Sequence, residues 1–259
     1  MSSSIWSGGR YEAVAEQIAG IASAVVDAAD RRRPLRDAAV VDLACGTGSA
    51  ALSAARLGAQ VTAVDITPDL LEIGARKVGA AGLTVTWRTG DAADTGLPTG
   101  AFDAAVSNMG IIFVEPQRQV AELARLLKST GVLGFSSWVR DSVNPFFDPI
   151  VSVLGAPPDP GHRPDQWGQP DLTTERLNSG FSDVEFAYDV LRWRFDSHAS
   201  AMRFVTQESP MHVATLGRVD AAQRDALVTA FDTALAAHVD NDGAVSFDAS
   251  YVVVTAIRR

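Results

Sequence analysis

A glycine turn, Gly46-Thr-Gly48, is the first stretch of this chain whose residue types and spacing could do chemistry. It follows a predicted buried strand, whose apolar residues are Val40, Val41 and Leu43, and it precedes an alanine-rich helix expected to begin near Ser49. Glycines let the backbone come close to a ligand, and the start of a helix offers free N–H groups. The stretch therefore predicts a nucleotide site.

Asp42 stands near the front of this turn and narrows the choice of nucleotide. Residues 46–51 can also be aligned with the dinucleotide fingerprint G-x-G-x-x-G/A, and Asp65 follows near the required distance. A fixed carboxylate at Asp42 would, however, repel the pyrophosphate of a dinucleotide. S-adenosylmethionine has an ammonium group, a sulfonium centre and no phosphate. Asp42 would be the electrostatic partner of its cationic end, so this residue favours S-adenosylmethionine as the cofactor.

Two further acids are expected at the ends of the next two strands. Asp65 ends the second strand, where it could accept hydrogen bonds from both ribose hydroxyls. Asp91 opens the loop after the third strand, where it could accept from the adenine amino group while the Ala92 N–H donates to a ring nitrogen. Together the three acids predict a nucleoside cofactor with a cationic end.

Alternating strands and helices must position these side chains. Strands are expected at residues 40–43, 61–65, 83–88, 102–108 and 132–138, and helices at 49–57, 67–78 and 117–128. Short links between alternating elements indicate parallel strands that lie between layers of helices. In such sheets the ligand lies beyond the carboxyl ends of the strands, near the point where strand order reverses, and all the turns described above lie at that end.

The chain is less regular outside this region. Apolar residues at helical spacing predict a helix over residues 9–29, before the first strand. After Trp138 come a proline-rich stretch at 141–170, a strand over 184–195 and a helical stretch at 197–239. The β-branched run at 251–257 predicts a final buried strand.

In this order, the motifs resemble those of the class I S-adenosylmethionine-dependent methyltransferases. Residues 42–48 resemble the family motif Asp/Glu-x-Gly-x-Gly-x-Gly, with Ala44 in place of the first glycine, and residues 90–92 resemble its adenine-edge motif. Residues 102–108 resemble the fourth-strand motif, whose end lies beside the methionine part of the cofactor. The resemblance implies the following cofactor-binding residues: Tyr11, Asp42, Ala44, Gly46, Gly48, Asp65, Ile66, Asp91, Ala92, Asn108 and Met109.

The resemblance also implies the fold and the reaction. The fold would be α/β and Rossmann-like, a seven-stranded and mostly parallel sheet with helices on both faces. Its last strand would be antiparallel, with a helical insertion before it. S-adenosylmethionine would be the cofactor and S-adenosylhomocysteine the product.

Within the family, the chain resembles bacterial enzymes of the ubiquinone/menaquinone-biosynthesis type and related natural-product enzymes. In these enzymes the N-terminal helix closes over the cofactor, which is why Tyr11 is included in the cofactor set. We expect a cofactor-capping helix in residues 1–37, the cofactor-binding core in 38–138 and the remainder of the same domain in 139–259. Substrate-covering insertions are expected at about 141–180 and 197–240.

The methyl acceptor is predicted to be a small, hydrophobic or aromatic metabolite, methylated on oxygen, nitrogen or carbon. The aromatic residues expected to contact it are Trp6, Phe113, Trp138 and Trp167. His212, in the helical insertion, is the candidate general base. The alternative functions are an NAD(P)-dependent oxidoreductase and a non-catalytic module that binds S-adenosylmethionine.

Charge and composition argue against several other classes of protein. A net charge of −9 disfavours nucleic acid as a partner, because phosphate contacts need a basic surface. One cysteine and 4 scattered histidines predict no metal site. The sequence has no apolar run that could span a membrane and does not begin like a signal peptide, so a cytoplasmic enzyme, monomer or homodimer, is expected.

Overall fold

The computed structural model describes residues 5–140, 143–156 and 162–259. Within these ranges the strands are β1 (Ala39–Leu43), β2 (Gln60–Asp65), β3 (Val85–Thr89), β4 (Phe102–Ser107), β5 (Leu127–Trp138), β6 (Phe181–Phe195) and β7 (Val245–Arg258). They form one sheet in the order β3-β2-β1-β4-β5-β7-β6. Strands β1 to β5 pair in parallel, whereas β7 pairs antiparallel with β5. The predicted fold class is confirmed.

The helices lie between and around these strands. They are α1 (Tyr11–Gln17), α2 (Ala19–Arg32), α3 (Ser49–Arg56), α4 (Pro68–Ala80), α5 (Pro116–Leu126), α6 (Asp148–Leu154), α7 (Pro170–Leu177), α8 (His198–Arg203), α9 (Pro210–Arg218) and α10 (Ala221–Ala236). Short 3-10 helices occur at Ile5–Ser7, Ile111–Phe113 and Pro164–Gly168, and a π-helix at Phe204–Glu208. None of the helices in the described ranges is long and apolar enough to cross a membrane.

The single helix predicted over residues 9–29 is wrong, because the chain breaks at Ile18. The backbone ψ angle of Ile18 is 7°, outside the helical range, and its carbonyl accepts hydrogen bonds from Ile21 N and from the Asn108 side chain. The apolar spacing continues through the break, so the pattern alone did not reveal it. The hydrogen bond from Asn108, a residue far along the chain, accompanies the break.

The contacts divide the chain into two compact units. The sheet unit contains residues 18–140, 162–189 and 251–259 of the described chain, and the aromatic unit contains residues 5–17, 143–156 and 190–250. Part of the predicted proline-rich stretch, residues 141–142 and 157–161, lies outside the described residues.

Small residues let helix α2 lie directly on the centre of the sheet. Val40 and Val41 of β1 are completely buried, as are Val25 and Ala29 of α2. A Cβ atom on Gly134 of β5 would lie 3.3 Å from the Ala29 Cβ and from the Val25 carbonyl oxygen. This close contact packs the sheet centre at the density of a protein interior and fixes the strands that carry the candidate site.

The aromatic unit is organised around Phe146. The Phe146 ring centroid lies 4.8 Å from that of Phe247, 5.1 Å from Trp193 and 5.4 Å from Phe204. Such separations, with edge-on or offset geometry, are those that aromatic pairs prefer. These rings therefore form the core of this unit.

Helix α5 anchors the loop that follows β3. Glu122 accepts hydrogen bonds from Thr95 N (2.9 Å), Thr95 Oγ1 (2.6 Å) and Arg125 Nη2 (2.7 Å), and Arg125 Nη1 donates to the Leu97 carbonyl (2.7 Å). Burial by itself would raise the pKa of Glu122, but the hydrogen bonds from Arg125 and Thr95 outweigh it and lower the pKa to about 2. The ionised carboxylate thus stabilises the folded loop.

Replacing Glu122→Gln should lower the free energy of unfolding by about 2 kcal/mol at neutral pH, because the charged hydrogen bonds are lost. The pKa of Glu122 is lower in the folded protein than its ordinary value of 4.5. Its contribution is therefore present above that value and is lost as pH falls toward 2. Urea unfolding at neutral and acid pH measures both effects, with Glu72→Gln, an exposed position on α4, as the control. An unchanged acid dependence in Glu122→Gln would contradict this assignment.

Candidate functional site

The turn between β1 and α3 has an unusual backbone. Ala44, Gly46 and Gly48 all have positive φ angles, of 50°, 55° and 75°. Glycine adopts this region freely, whereas Ala44 carries strain on the order of 1 kcal/mol. The Cys45 N–H donates to the Val64 carbonyl (3.0 Å), which ties the turn to the end of β2.

Asp65 joins the ends of β1 and β2. It is 7% exposed; its Oδ2 accepts from Gly46 N (2.8 Å) and its Oδ1 from Thr67 N (2.9 Å). Each carboxylate oxygen has a second lone pair that can accept a further hydrogen bond. Ile66, the next residue, is 60% exposed, which is unusual for a large apolar side chain beside a polar turn. A carboxylate acceptor and an open apolar surface are therefore adjacent.

Asp42 lies completely buried beneath the turn. Its Oδ2 accepts from Ala51 N (2.8 Å) in the first turn of α3, whose N-cap residue, Gly48, has no side chain to do so. Its Oδ1 is buried and has no hydrogen-bond partner among the described residues. Burial raises the pKa of Asp42 to about 8; the Ala51 N–H opposes the shift, and the nearby Asp65 carboxylate adds to it.

The end of β4 packs against the same turn. The Ser107 hydroxyl donates to the Leu43 carbonyl (2.7 Å), and a Cβ atom on Gly110 would lie 2.4 Å from the Ala44 carbonyl oxygen. Asn108 bonds within the protein, since its Oδ1 accepts from Ser136 Oγ (2.8 Å). Strand order reverses between β1 and β4, so the turn occupies the position where ligands bind in such sheets.

Asp91 begins the loop after β3. Its Oδ1 accepts from Ala93 N (2.9 Å), and its Oδ2 pairs with Arg118 Nη2 (3.2 Å). The side chain is 44% exposed, so the carboxylate remains open to a ligand. The neighbouring Ala92 is buried.

Known proteins share this region. The family described as a methyltransferase domain matches residues 40–131, which contain the glycine turn, Asp65 and Asp91. An uncharacterized protein of Mycobacterium tuberculosis is 32% identical over 186 residues, which is 70% of this chain and 66% of the relative's length. The alignment therefore extends well beyond the methyltransferase domain, although it spans just under two thirds of that relative.

Two further proteins that are similar to this chain are named for a methyltransferase activity. A ubiquinone biosynthesis O-methyltransferase of Xanthomonas oryzae is 35% identical over 117 residues, which is 44% of this chain and 49% of that protein. A phosphoethanolamine N-methyltransferase of Haemonchus contortus, solved with S-adenosylhomocysteine, has a similar fold, with a TM-score of 0.54 and 18% identity over 90% of this chain and 52% of that one. Residues 40–131 therefore belong to the methyltransferase domain family, and the chain has a fold similar to that of a solved methyltransferase.

The solved Haemonchus structure contains S-adenosylhomocysteine, the product of the cofactor that the sequence predicts for this chain. The sheet unit of this chain gathers most of the predicted cofactor residues at the carboxyl ends of β1 to β4. These are Asp42, Ala44, Gly46, Gly48, Asp65, Ile66, Asp91, Ala92, Asn108 and Met109. Tyr11 belongs to the aromatic unit, where its ring contacts Trp6 edge-on at 6.2 Å.

The predicted acceptor-binding aromatics differ in exposure. Phe113, shortly after β4, is 38% exposed, and Trp138, at the end of β5, is half-buried. Trp167 is completely buried, with its ring 5.4 Å from that of Phe135 and the Arg176 guanidinium 4.9 Å from its centroid. In this conformation of the protein, Trp167 serves as a core residue.

His212 is enclosed in the aromatic unit. Its Nδ1 lies 2.7 Å from Ser209 Oγ and its Nε2 lies 3.0 Å from the Phe146 carbonyl oxygen. The carbonyl can only accept, so Nε2 carries the proton and Nδ1 accepts from the Ser209 hydroxyl. Burial lowers the pKa of His212 to about 4. This geometry favours a structural histidine over a general base.

Trp87 on β3 lies beside the glycine turn, although no motif of the sequence indicates it directly. An atom of its ring lies 2.5 Å from the position that a Cβ on Gly48 or on Gly74 of α4 would occupy. The two glycines therefore form a slot for the indole ring beside the turn. Gly74, inside a helical pattern, was the available signal, because an isolated glycine there often marks close packing.

Replacing Gly110→Ala should destabilise the protein by about 3 kcal/mol, because the added methyl group would overlap the backbone of Ala44. Gly79→Ala, in α4 with nothing within 4 Å, is the matched control and should be neutral or stabilise by about 1 kcal/mol. Thermal and urea unfolding measure both variants. Equal behaviour of the two would contradict the packing described at Gly110.

Replacing Asp42→Asn should flatten the pH dependence of stability in the cofactor-free protein. The folded state retains a proton on Asp42 up to a pKa of about 8, whereas the unfolded chain releases it near 3.8. Asp42 therefore lowers wild-type stability progressively as pH rises from about 4 to about 8, by at most about 1.4 kcal/mol per pH unit. Urea unfolding across this interval should show a steeper fall in the wild type than in Asp42→Asn, and an equal fall in the two proteins would contradict the assignment.

Proposed function

We propose that this protein transfers the methyl group of S-adenosylmethionine to an oxygen, nitrogen or carbon of a small, hydrophobic or aromatic metabolite. The observation that carries the proposal is the placement of Asp42 and Asp65 at the glycine turn, with Asp91 at the end of a neighbouring strand. Acids thus occupy the turn where a dinucleotide would place phosphates, and a cationic group beside Asp42 would favour the ionised form of that acid. This arrangement suits a nucleoside with a cationic amino-acid end.

The chain's residues fit this cofactor. The remaining lone pairs of Asp65 can accept from ribose hydroxyls, and the exposed side chain of Ile66 offers an apolar surface for the adenine face. Asp91 can accept from the adenine amino group. The buried Oδ1 of Asp42 has no donor of its own among the described residues, which makes this site favourable for a positive charge nearby.

The cofactor, when bound, supplies a methyl group activated by its sulfonium centre. The protein's part is to hold the acceptor in line with that methyl group and to exclude water. Both His212 nitrogens are engaged within the aromatic unit, so the proposal assigns no proton transfer to it. Positioning is then the main source of rate enhancement.

Two observations support the proposed acceptor class. Phe113 presents an exposed aromatic ring shortly after β4, on the methionine side of the expected cofactor position. The net charge of −9 is unfavourable for a nucleic-acid substrate. The similarity to a ubiquinone biosynthesis O-methyltransferase favours oxygen as the methylated atom.

A methyl-transfer screen over phenols, quinones, amines and fatty acids tests the proposal by measuring release of S-adenosylhomocysteine. We expect turnover with at least one acceptor and binding of S-adenosylhomocysteine in calorimetry. Asp65→Asn should weaken that binding about tenfold or more, while Asp69→Asn, exposed in the first turn of α4, should leave it unchanged. Activity only on protein or RNA would contradict the acceptor class, and binding without turnover on any acceptor would indicate a non-catalytic module.

A further inference from the structure

Two consecutive residues of α5, Arg118 and Gln119, hold the Asp91 carboxylate from two directions. Neither residue belongs to a motif of the family, and their spacing alone gives no reason to single them out. Arg118 acts directly on one carboxylate oxygen. Gln119 acts on the other through one peptide group.

The path through Gln119 is buried. Gln119 is completely inaccessible to solvent, and its Nε2 donates to the Ala92 carbonyl oxygen (3.2 Å). That carbonyl and the Ala93 N–H belong to the same planar peptide group, so fixing one fixes the direction of the other. The Ala93 N–H in turn donates to Asp91 Oδ1 (2.9 Å). Gln119 therefore determines the orientation of the donor that holds Oδ1.

The path through Arg118 is at the surface. Its Nη2 lies 3.2 Å from Asp91 Oδ2, and the two side chains are 57% and 44% exposed. The backbone of Arg118 is itself fixed, because the Glu115 carboxylate caps α5 and accepts from Gln117 N (2.9 Å) and Arg118 N (2.8 Å). An exposed ion pair contributes little stability, so its value here is the direction that it gives to the carboxylate.

We infer that Arg118 and Gln119 are positioning residues that determine the preference of the site for a 6-amino purine through Asp91. The inference rests on the proposed function, in which Asp91 accepts from the adenine amino group. A carboxylate held on both oxygens still has lone pairs for that amino group, but it has no proton to offer a 6-oxo base. A carboxylate free to turn could move away from the oxo group, so the two restraints are what make the site selective.

The experiment measures two ligands on the full chain by calorimetry: S-adenosylhomocysteine and S-inosylhomocysteine, which carries a 6-oxo base. The wild type should prefer the adenine ligand by about 100-fold, since a 6-oxo base would lose the hydrogen bond to Asp91 and bring two acceptors together with no proton between them. Gln119→Met, which keeps the shape and removes the donor, should reduce this preference about tenfold. Arg118→Ala should reduce it about threefold. Arg56→Ala, an exposed arginine of α3, should leave it unchanged.

A double-mutant cycle with Asp91→Asn separates positioning from a structural role. If Arg118 and Gln119 act through Asp91, their substitution in the Asp91→Asn background should change the affinity for S-adenosylhomocysteine less than about twofold. Arg118 is largely exposed, so its variant should fold and can decide the question alone if the Gln119 variant does not.

The outcomes distinguish this inference from the proposed function. The inference is overturned, and the proposed function still stands, if each variant weakens the binding of both ligands equally. The same holds if the effects of the variants persist in the Asp91→Asn background. If the wild type binds neither ligand, the proposed function fails and the inference fails with it. If the Arg118 and Gln119 variants lose the preference for adenine only when Asp91 is present, the result supports both the inference and the proposed function.

Discussion

The carboxylate of Asp65 holds the glycine turn against the end of β2, and the geometry of the rest of the candidate site depends on this turn. One oxygen accepts from the glycine turn at Gly46 and the other from Thr67 at the start of α4, so a single buried side chain connects the ends of β1 and β2. Buried charge is costly unless it is hydrogen-bonded, and both of these bonds come from backbone groups with fixed positions. The turn is therefore held in place before any ligand arrives.

Close backbone approach is the second constraint on this region. The Ala44 carbonyl lies where Gly110 can have no side chain, and the Trp87 ring fills the space that side chains on Gly48 and Gly74 would need. These contacts join β1, β3, β4 and α4 by close packing against the backbone. A packed region of this kind has little room to relax, which keeps the acids at the strand ends in register with one another.

Helix α5 holds the loop after β3 in a fixed conformation. Polar side chains from one side of the helix bond successive parts of the loop, through Arg118, Gln119, Glu122 and Arg125. Loops that carry binding residues are often the most mobile part of a fold. Here hydrogen bonds from a rigid helix replace the packing that such a loop lacks, so Asp91 is presented in a defined orientation.

The sequence by itself determined the alternation of strands and helices through β5, the glycine turn and the acids at the strand ends. These features depend on local periodicity and on the conformational freedom of glycine, which a few neighbouring residues specify. Only the tertiary structure decided the break at Ile18, the burial of Trp167 and the engagement of both His212 nitrogens. It alone showed that Asp42 caps α3 and that Gln119 reaches Asp91 through one peptide group. The reason is that the environment of a polar side chain depends on its partners, and partners such as Phe146 for His212 and Ala92 for Gln119 lie far away in sequence, where no local pattern indicates them.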